Sequence, residues 1–272
     1  MNRIDKRFGE LKTQKRTALM PYLPMGFPSI DLAVPLIRAV ADAGADVIEL
    51  GVPFSDPIAD GPVIQAATQT ALKNGMSLQK CIDLACEARM SGITTPFVLM
   101  GYLNPILRFG VERFARAAHD AGVDGVIVPD LPPEEASTLD ACCRANDLDL
   151  IFLAAPTSTR ERLQKIAEAT HGFLYLVSVT GVTGARAQMA NDLSAFVARV
   201  RTITSKPVCV GFGIANAESA KQVAQIADGV IVGSALVAKI TSAQNPTSEA
   251  RNFVGELFNA ISPKCNQKNP VW

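Results

Sequence analysis

The sequence is poor in histidine and in aromatic residues, and it has no excess of charge. Its 272 residues include two histidines, one tryptophan and 6% aromatic side chains, and 26 basic residues balance 26 acidic ones. No basic patch of the kind found in nucleic-acid-binding domains is present, and no run of like charges suggests a charged tail. We therefore expect no nucleic-acid partner.

Long apolar segments are also missing. No run approaches the roughly 18 residues that a transmembrane helix needs. The first residues, MNRIDKRFGELKTQKR, are charged and lack the apolar centre of a signal peptide. We expect no membrane association and, as the default, a cytoplasmic location.

The six cysteines include no C-x-x-C pair. With so few histidines, a structural zinc site is not expected. Reduced thiols in the core or at the surface are the simpler interpretation. We predict no metal site in this chain.

Three segments resemble one another: AGADVIEL at 43–50, AGVDGVIV at 121–128 and IADGVIV at 226–232. Each follows a helical pattern and opens a short β-branched run, as in parallel strands that are covered by helices. With further runs of this kind, the predicted strands lie at 18–23, 46–50, 97–100, 125–128, 150–153, 173–177, 208–210 and 230–232.

Amphipathic segments alternate with these runs. They lie at 30–43 and 78–90 and begin near 111, 132, 159, 192, 215 and 234, and a further helix is predicted at 2–11. Eight strand–helix units in about 250 residues predict the α/β class, as a single (β/α)8 TIM barrel with an extra N-terminal helix. An open doubly wound sheet is the alternative, although no G-x-G-x-x-G follows the first strand. We expect one barrel domain at 1–262 and a polar tail at 263–272.

In such barrels the active site lies at the carboxyl ends of the strands. Glycine turns follow the last two predicted strands, with Gly211 and Gly213 after one and Gly233 and Ser234 after the other. Glycine lets backbone N–H groups approach a ligand closely, and helix N-termini favour anions. These turns predict a phosphate site, although barrel turns often use glycine without any ligand.

Glu49 lies inside an apolar strand, in the segment IELGVPFSDPIADG at 48–61. A buried carboxyl group loses hydration, which raises its pKa and suits a general acid/base. A salt bridge to a barrel lysine or arginine is the alternative, but no such residue occurs within a predicted strand core. We predict a catalytic role for Glu49.

Asp60 precedes Gly61 and Pro62, where a helix is predicted to begin. Asp60 can cap that helix or can act in the site, and the pattern supports both readings equally.

The residues that other catalytic mechanisms require are absent from the predicted carboxyl ends of the strands. No lysine ends a strand for a Schiff base, and no histidine stands at that end for a metal site or a Ser-His-Asp site.

Five motifs resemble those of tryptophan synthase α subunits. They are IELGVPFSDPIADG at 48–61, MGYLNPI at 100–106, VPDLP at 128–132, GVTG at 181–184, and the pair GFGI at 211–214 with GS at 233–234. The resemblance covers about residues 1–262 in the same order and spacing.

The resemblance implies a retro-aldol lyase that splits indole-3-glycerol phosphate into indole and glyceraldehyde 3-phosphate. Glu49 would be the general acid/base, and Asp60 would hold the indole N–H. Phosphate would bind at Gly184, Gly213, Gly233 and Ser234. Residues Tyr22, Ile64, Met100, Ile127, Tyr175 and Phe212 would wall the indole pocket, and Thr183 would meet Asp60 when a lid at loop six closes.

The same resemblance implies a partner, a β subunit that holds pyridoxal phosphate, in an α2β2 assembly to which indole is passed. No cofactor is expected in this chain. The contact positions would be Pro53, Asp56, Asn104, Pro105, Asp130 and Pro132 on loops two, three and four.

Three alternatives stay open. The chain could be a stand-alone indole-releasing lyase, or a subunit retained mainly to bind and activate β. A phosphate-binding barrel isomerase of histidine or tryptophan synthesis is the third, but the ends of strands one and five offer it no acid/base residue.

Overall fold

A computed structural model describes residues 2–177, 186–211 and 213–262, without the side chains of residues 186–191. Its strands form one sheet in which every recorded pairing is parallel. The strands are β1 Ala18–Pro24, β2 Ile48–Gly51, β3 Phe97–Met100, β4 Gly125–Ile127, β5 Asp149–Ile151, β6 Leu153–Ala154, β7 Leu174–Val177, β8 Val208–Gly211 and β9 Gly229–Val232.

The sheet closes on itself at Phe152. The strand order is β5-β4-β3-β2-β1-β9-β8-β7-β6, and only Phe152 separates β5 from β6 along the chain. The two short strands are therefore halves of one barrel strand, which pairs with β4 on one side and with β7 on the other. The Phe152 carbonyl accepts a hydrogen bond from Tyr175 N at 3.2 Å across this seam. The predicted eight-stranded TIM barrel is confirmed.

Helices surround the barrel. They are α1 Arg3–Thr13, α2 Ala33–Asp42, α3 Pro62–Lys73, α4 Leu78–Met90, α5 Leu103–Phe109, α6 Val111–Asp120, α7 Ser137–Ala145, α8 Arg160–Ala169, α9 Arg186–Arg201, α10 Ala217–Ala224, α11 Ser234–Ser242 and α12 Pro246–Ile261, with 3-10 turns at Ile30–Leu32 and Pro133–Glu135. Among the described residues, no helix combines the length and the apolar character needed to cross a membrane.

Two helices were not predicted. The short α5 lies in the segment interpreted as the loop after β3. The long α12 has Asn245 as its N-cap residue, whose side chain accepts from Ser248 N, and has proline in its first turn. It buries Phe253, Val254 and Leu257 and packs on α2, α10 and α11. The tail at 263–272 lies outside the described residues, so the division into a barrel domain and a tail stays a prediction.

The predicted N-terminal helix is present and covers the amino ends of the strands. Asn2 caps α1, which buries Ile4, Phe8 and Leu11 against the barrel interior. The ring centroids of Phe8 and Phe173 are 5.8 Å apart. Because α1 fills this end, the carboxyl end of the barrel is left for a ligand.

The three sequence repeats share an aspartate just before a strand. Asp46, Asp124 and Asp228 each accept a hydrogen bond of 2.8 Å from a backbone N–H at the start of the neighbouring strand. Each also pairs with arginine side chains at the amino end of the barrel. The repeated aspartates therefore fix how adjacent strands begin, and their role is structural.

Candidate active site

Glu49 lies on β2 with its side chain fully buried. Neither carboxyl oxygen has a hydrogen-bond partner among the described residues. Burial without a compensating charge disfavours ionisation and raises the pKa of Glu49 to about 8. The group therefore holds its proton at neutral pH, and the salt-bridge alternative does not apply within the described part of the chain.

Two tyrosines share this end of the barrel with Glu49. Tyr22 on β1 is the direct register partner of Glu49 on β2. Tyr175 projects into the barrel interior from β7, and both rings are buried. Burial raises the pKa of each phenol well above its ordinary value, and the nearby carboxyl groups of Glu49 and Asp60 add to the effect. Both tyrosines stay protonated across the physiological range.

Two glycines at strand ends make room for these rings. A Cβ on Gly51 would lie 2.1 Å from the Tyr22 hydroxyl oxygen, and one on Gly211 would lie 2.5 Å from the Tyr175 hydroxyl oxygen. Sequence reasoning gave Gly51 no role. The signal available was its place at the carboxyl end of a strand, but the ring that needs the space comes from a different strand.

Asp60 belongs to the loop between β2 and α3 and is partly buried. The Tyr102 hydroxyl donates a hydrogen bond of 3.2 Å to Asp60 Oδ2. Burial raises the pKa of Asp60, and the bond from Tyr102 lowers it in part. The N-cap residue of α3 is Gly61, with no side-chain cap. Asp60 is therefore not the N-cap residue of α3, and the helix-capping alternative is wrong.

The predicted wall residues divide between the barrel interior and its rim. Met100 and Ile127 are register partners on β3 and β4. Ile127 is fully buried in the interior, Met100 is partly buried, and Ile64 is buried on α3. Phe212 and Thr183 lie outside the described residues.

The glycine turn after β9 leads directly into a helix. Gly233 is the N-cap residue of α11, and it offers no side-chain cap to the first turn. The first N–H groups of a helix have no partner within the helix and attract anions. Ser234 is exposed at the first position, and a Cβ on Gly233 would stand 3.6 Å from Tyr22 Cβ. This turn therefore adjoins the tyrosine that neighbours Glu49.

The turn after β8 is arranged differently. Gly213 adopts φ +49°, the left-handed region that favours glycine, and a Cβ there would meet no atom within 4 Å. The helix that follows begins with a capping box between Asn216 and Ser219, which also uses the N–H of Ala215. Several amides at the start of α10 are thus already satisfied. Gly184 lies outside the described residues.

No cluster of three or more histidine, cysteine, aspartate or glutamate side chains that could hold a metal occurs in the described ranges. The chemistry that these residues offer is proton transfer at a buried carboxyl group among largely apolar side chains. A glycine turn suited to an anion adjoins them at Gly233.

Comparison with known proteins identifies the family. A family model described as "Tryptophan synthase alpha chain" matches residues 8–261. The chain belongs to the tryptophan synthase alpha chain family. It is 51% identical over 259 residues to the alpha chain of Roseiflexus sp. (strain RS-1), covering 94% of this chain and 99% of that one. It is 48% identical over 258 residues to that of Methylococcus capsulatus, covering 95% and 97% of the two chains.

Solved structures agree with this assignment. Tryptophan synthase subunit alpha from Legionella pneumophila str. Paris superposes with a TM-score of 0.90 at 39% identity, covering 96% of this chain and 98% of that chain. A chain of Mycobacterium tuberculosis tryptophan synthase superposes with a TM-score of 0.88 at 42% identity, covering 96% and 99%.

Membership gives the reaction. Tryptophan synthase alpha chains cleave indole-3-glycerol phosphate by a retro-aldol step, as lyases of tryptophan biosynthesis, and need no cofactor of their own. The family works with a beta subunit. Family membership does not by itself assign a role to any single residue of the site.

Proposed function

We propose that Glu49 and Asp60 carry the cleavage of indole-3-glycerol phosphate in this chain. The observation that carries the proposal is the fully buried Glu49 carboxyl group on β2, with neither oxygen paired among the described residues. A group with a pKa of about 8 is protonated at neutral pH and can still release its proton at little cost.

Glu49 supplies the proton and later recovers one. Its carboxyl group protonates C3 of the indole ring, which leaves positive charge on the ring and a carboxylate on Glu49. The carboxylate then removes the proton from the adjacent glycerol hydroxyl. The C3–C bond breaks, its electrons return to the ring, and the products are indole and the aldehyde of glyceraldehyde 3-phosphate. Glu49 ends protonated, so the proton balance closes within one residue.

Asp60 acts on the other side of the ring. Its carboxylate accepts a hydrogen bond from the indole N–H and stabilises the positive charge that develops when C3 is protonated. The protonated indole serves as the electron sink, so no Schiff-base lysine is needed.

The phosphate of the substrate binds at the glycine turns. The open first turn of α11, at Gly233 and Ser234, supplies backbone N–H groups beside Tyr22. Gly213 contributes from the turn after β8, and Gly184 from loop six by family resemblance. This assignment puts the phosphate at the rim and the indole deeper in the barrel.

The indole pocket is the apolar space between the two carboxyl groups. By family resemblance, its walls are Tyr22, Ile64, Met100, Ile127, Tyr175 and Phe212. By the same resemblance, Thr183 on a lid at loop six contacts Asp60 on closure and helps to exclude water.

The partner is a beta subunit that holds pyridoxal phosphate, in an α2β2 assembly located in the cytoplasm. It docks on loops two to four. Asp56, Asn104 and Asp130 are exposed there, Pro105 and Pro132 are partly buried, and Pro53 is buried. Ile58 and Leu107 add apolar surface beside them, with 82% and 57% of their area exposed. Apolar side chains at such exposure suit burial in a protein interface.

Indole release from indole-3-glycerol phosphate tests the proposal, with the purified chain alone and with increasing amounts of a tryptophan synthase beta subunit. Glu49→Gln removes the titratable group and keeps the shape, so we expect no measurable turnover. Glu87→Gln, an exposed glutamate on α4, is the matched control and keeps the parent rate.

Turnover by the Glu49→Gln variant at the parent rate would exclude the proposed mechanism. A weak basal rate that rises steeply with the beta subunit supports the docking surface. Full activity that does not respond to beta would instead indicate a stand-alone lyase.

A further inference from the structure

Tyr102 lies at the start of loop three, two residues beyond the end of β3, and its ring is buried. Its hydroxyl makes two hydrogen bonds to loop two: it accepts from Ala59 N at 3.0 Å and donates to Asp60 Oδ2 at 3.2 Å. One hydroxyl group thus contacts both the backbone and the carboxylate at the end of the loop that carries Asp60.

The Tyr102 side chain is itself held in place. Its ring packs on Phe54 of loop two with centroids 5.2 Å apart. The next residue, Leu103, donates its backbone N–H to Asp130 Oδ1 of loop four at 3.0 Å. Loops two, three and four therefore meet at Tyr102, and the orientation of its hydroxyl is set by contacts on either side.

We propose that Tyr102 is a positioning residue for Asp60, holding its carboxylate in the orientation that receives the indole N–H. The proposal rests on the role given to Asp60 above. Tyr102 does not touch the reacting atoms and acts only through Asp60.

The physical reason lies in the freedom that Asp60 would otherwise have. A side chain in a loop can rotate about two torsions, and its backbone can shift with the loop. A hydrogen bond to the charged form restricts that rotation and favours the carboxylate over the neutral acid. Both effects keep Asp60 ready to stabilise positive charge on the ring.

Among the described groups around Asp60, Tyr102 is the one that donates a hydrogen bond to its carboxylate. The titratable groups that face it are Tyr22 on β1, Tyr175 on β7 and Tyr102 itself. Among the described residues, no lysine or arginine forms an ion pair with Asp60. Tyr102 is accordingly the group that favours its ionised form.

The test is Tyr102→Phe in the full chain, assayed for indole release with and without the beta subunit across pH 5 to 9. We expect kcat/KM at neutral pH to fall about tenfold, the usual worth of one hydrogen bond to a charged group. We also expect the acid limb of the profile to move to higher pH, because Asp60 without its donor binds a proton more readily. The affinity for inorganic phosphate stays unchanged.

Glu87→Gln, which changes the exposed glutamate on α4, is the control. Its acid limb should coincide with that of the parent. An unmoved acid limb in Tyr102→Phe, or an equal movement in Glu87→Gln, would overturn the positioning role. Asp60→Asn separates the two proposals. If it keeps the parent rate, the role of Asp60 is wrong. If it is inactive while Tyr102→Phe matches the parent, only the positioning role is wrong.

Discussion

Replacing Glu49 by glutamine should stabilise the protein at alkaline pH while it abolishes catalysis. The carboxyl group is fully buried, and no partner among the described residues offsets its charge. Ionising it in the folded state is therefore costly, whereas in the unfolded chain it ionises freely in water. Glutamine has the same shape and no charge to desolvate.

The magnitude follows from the pKa. A rise from the ordinary value of 4.5 to about 8 corresponds to about 5 kcal/mol between the two protonation states. Because the folded-state pKa is the higher one, the folded protein binds the proton more tightly. The contribution of this group to stability is therefore fully present below pH 4.5 and is lost as pH rises toward 8. Between pH 5 and pH 9 the parent should lose about 4 kcal/mol from this group alone, and Glu49→Gln should lose none of it.

Thermal or urea unfolding followed by far-ultraviolet circular dichroism, at several pH values, measures this difference. An unpaired amide at position 49 costs about 1–3 kcal/mol at every pH, so the slopes with pH are compared and not the absolute values.

The exposed control, Glu87→Gln, should give a curve parallel to that of the parent. If the curve of Glu49→Gln is also parallel, the carboxyl group is not desolvated in the folded state, and the reasoning for a high pKa fails.

Other substitutions test separate parts of the structure. Gly51→Ala places a Cβ 2.1 Å from the Tyr22 hydroxyl oxygen and should cost about 1–3 kcal/mol of stability, and Tyr22→Leu in the same chain should recover most of that loss in a urea melt. Asp46→Asn removes the negative charge that pairs with two arginines and leaves their like charges close together. It should lower the free energy of unfolding by about 3 kcal/mol with no change in KM. Stability equal to that of the parent would show that these ion pairs do not stabilise the fold. Ser234→Asp adds negative charge at the start of α11 and should weaken phosphate binding, measured by calorimetry, at least tenfold while leaving the melting temperature within a few degrees. Unchanged phosphate affinity would place the anion elsewhere.

The sequence determined the strand and helix pattern closely. The predicted strand at 97–100 and the helix at 78–90 match the structure residue for residue. Runs of this kind are fixed by local periodicity, because a strand covered on both faces is apolar throughout and a surface helix is apolar on one side. The helix predicted near 192 begins earlier, at Arg186, since polar residues in its first turns hide the apolar pattern.

The sequence also pointed to Glu49, because a carboxylate in an apolar strand conflicts with burial whatever the neighbours are. The sequence did not determine which side chains from distant segments contact each other. It did not resolve whether Asp60 caps a helix, and it gave Tyr102 no role. The bond of 3.2 Å that joins these two residues spans 42 positions in the chain.

Only the tertiary structure decided such contacts, because residues far apart in sequence meet through the curvature of the closed barrel. Closure brings β5 and β6 together around Phe152, lays α1 across the amino end of the strands, and sets the ring of Tyr22 over Gly51. Local pattern therefore fixed the elements and their order. The distances within the site depend on how all the strands pack at once, and no single segment carries that information.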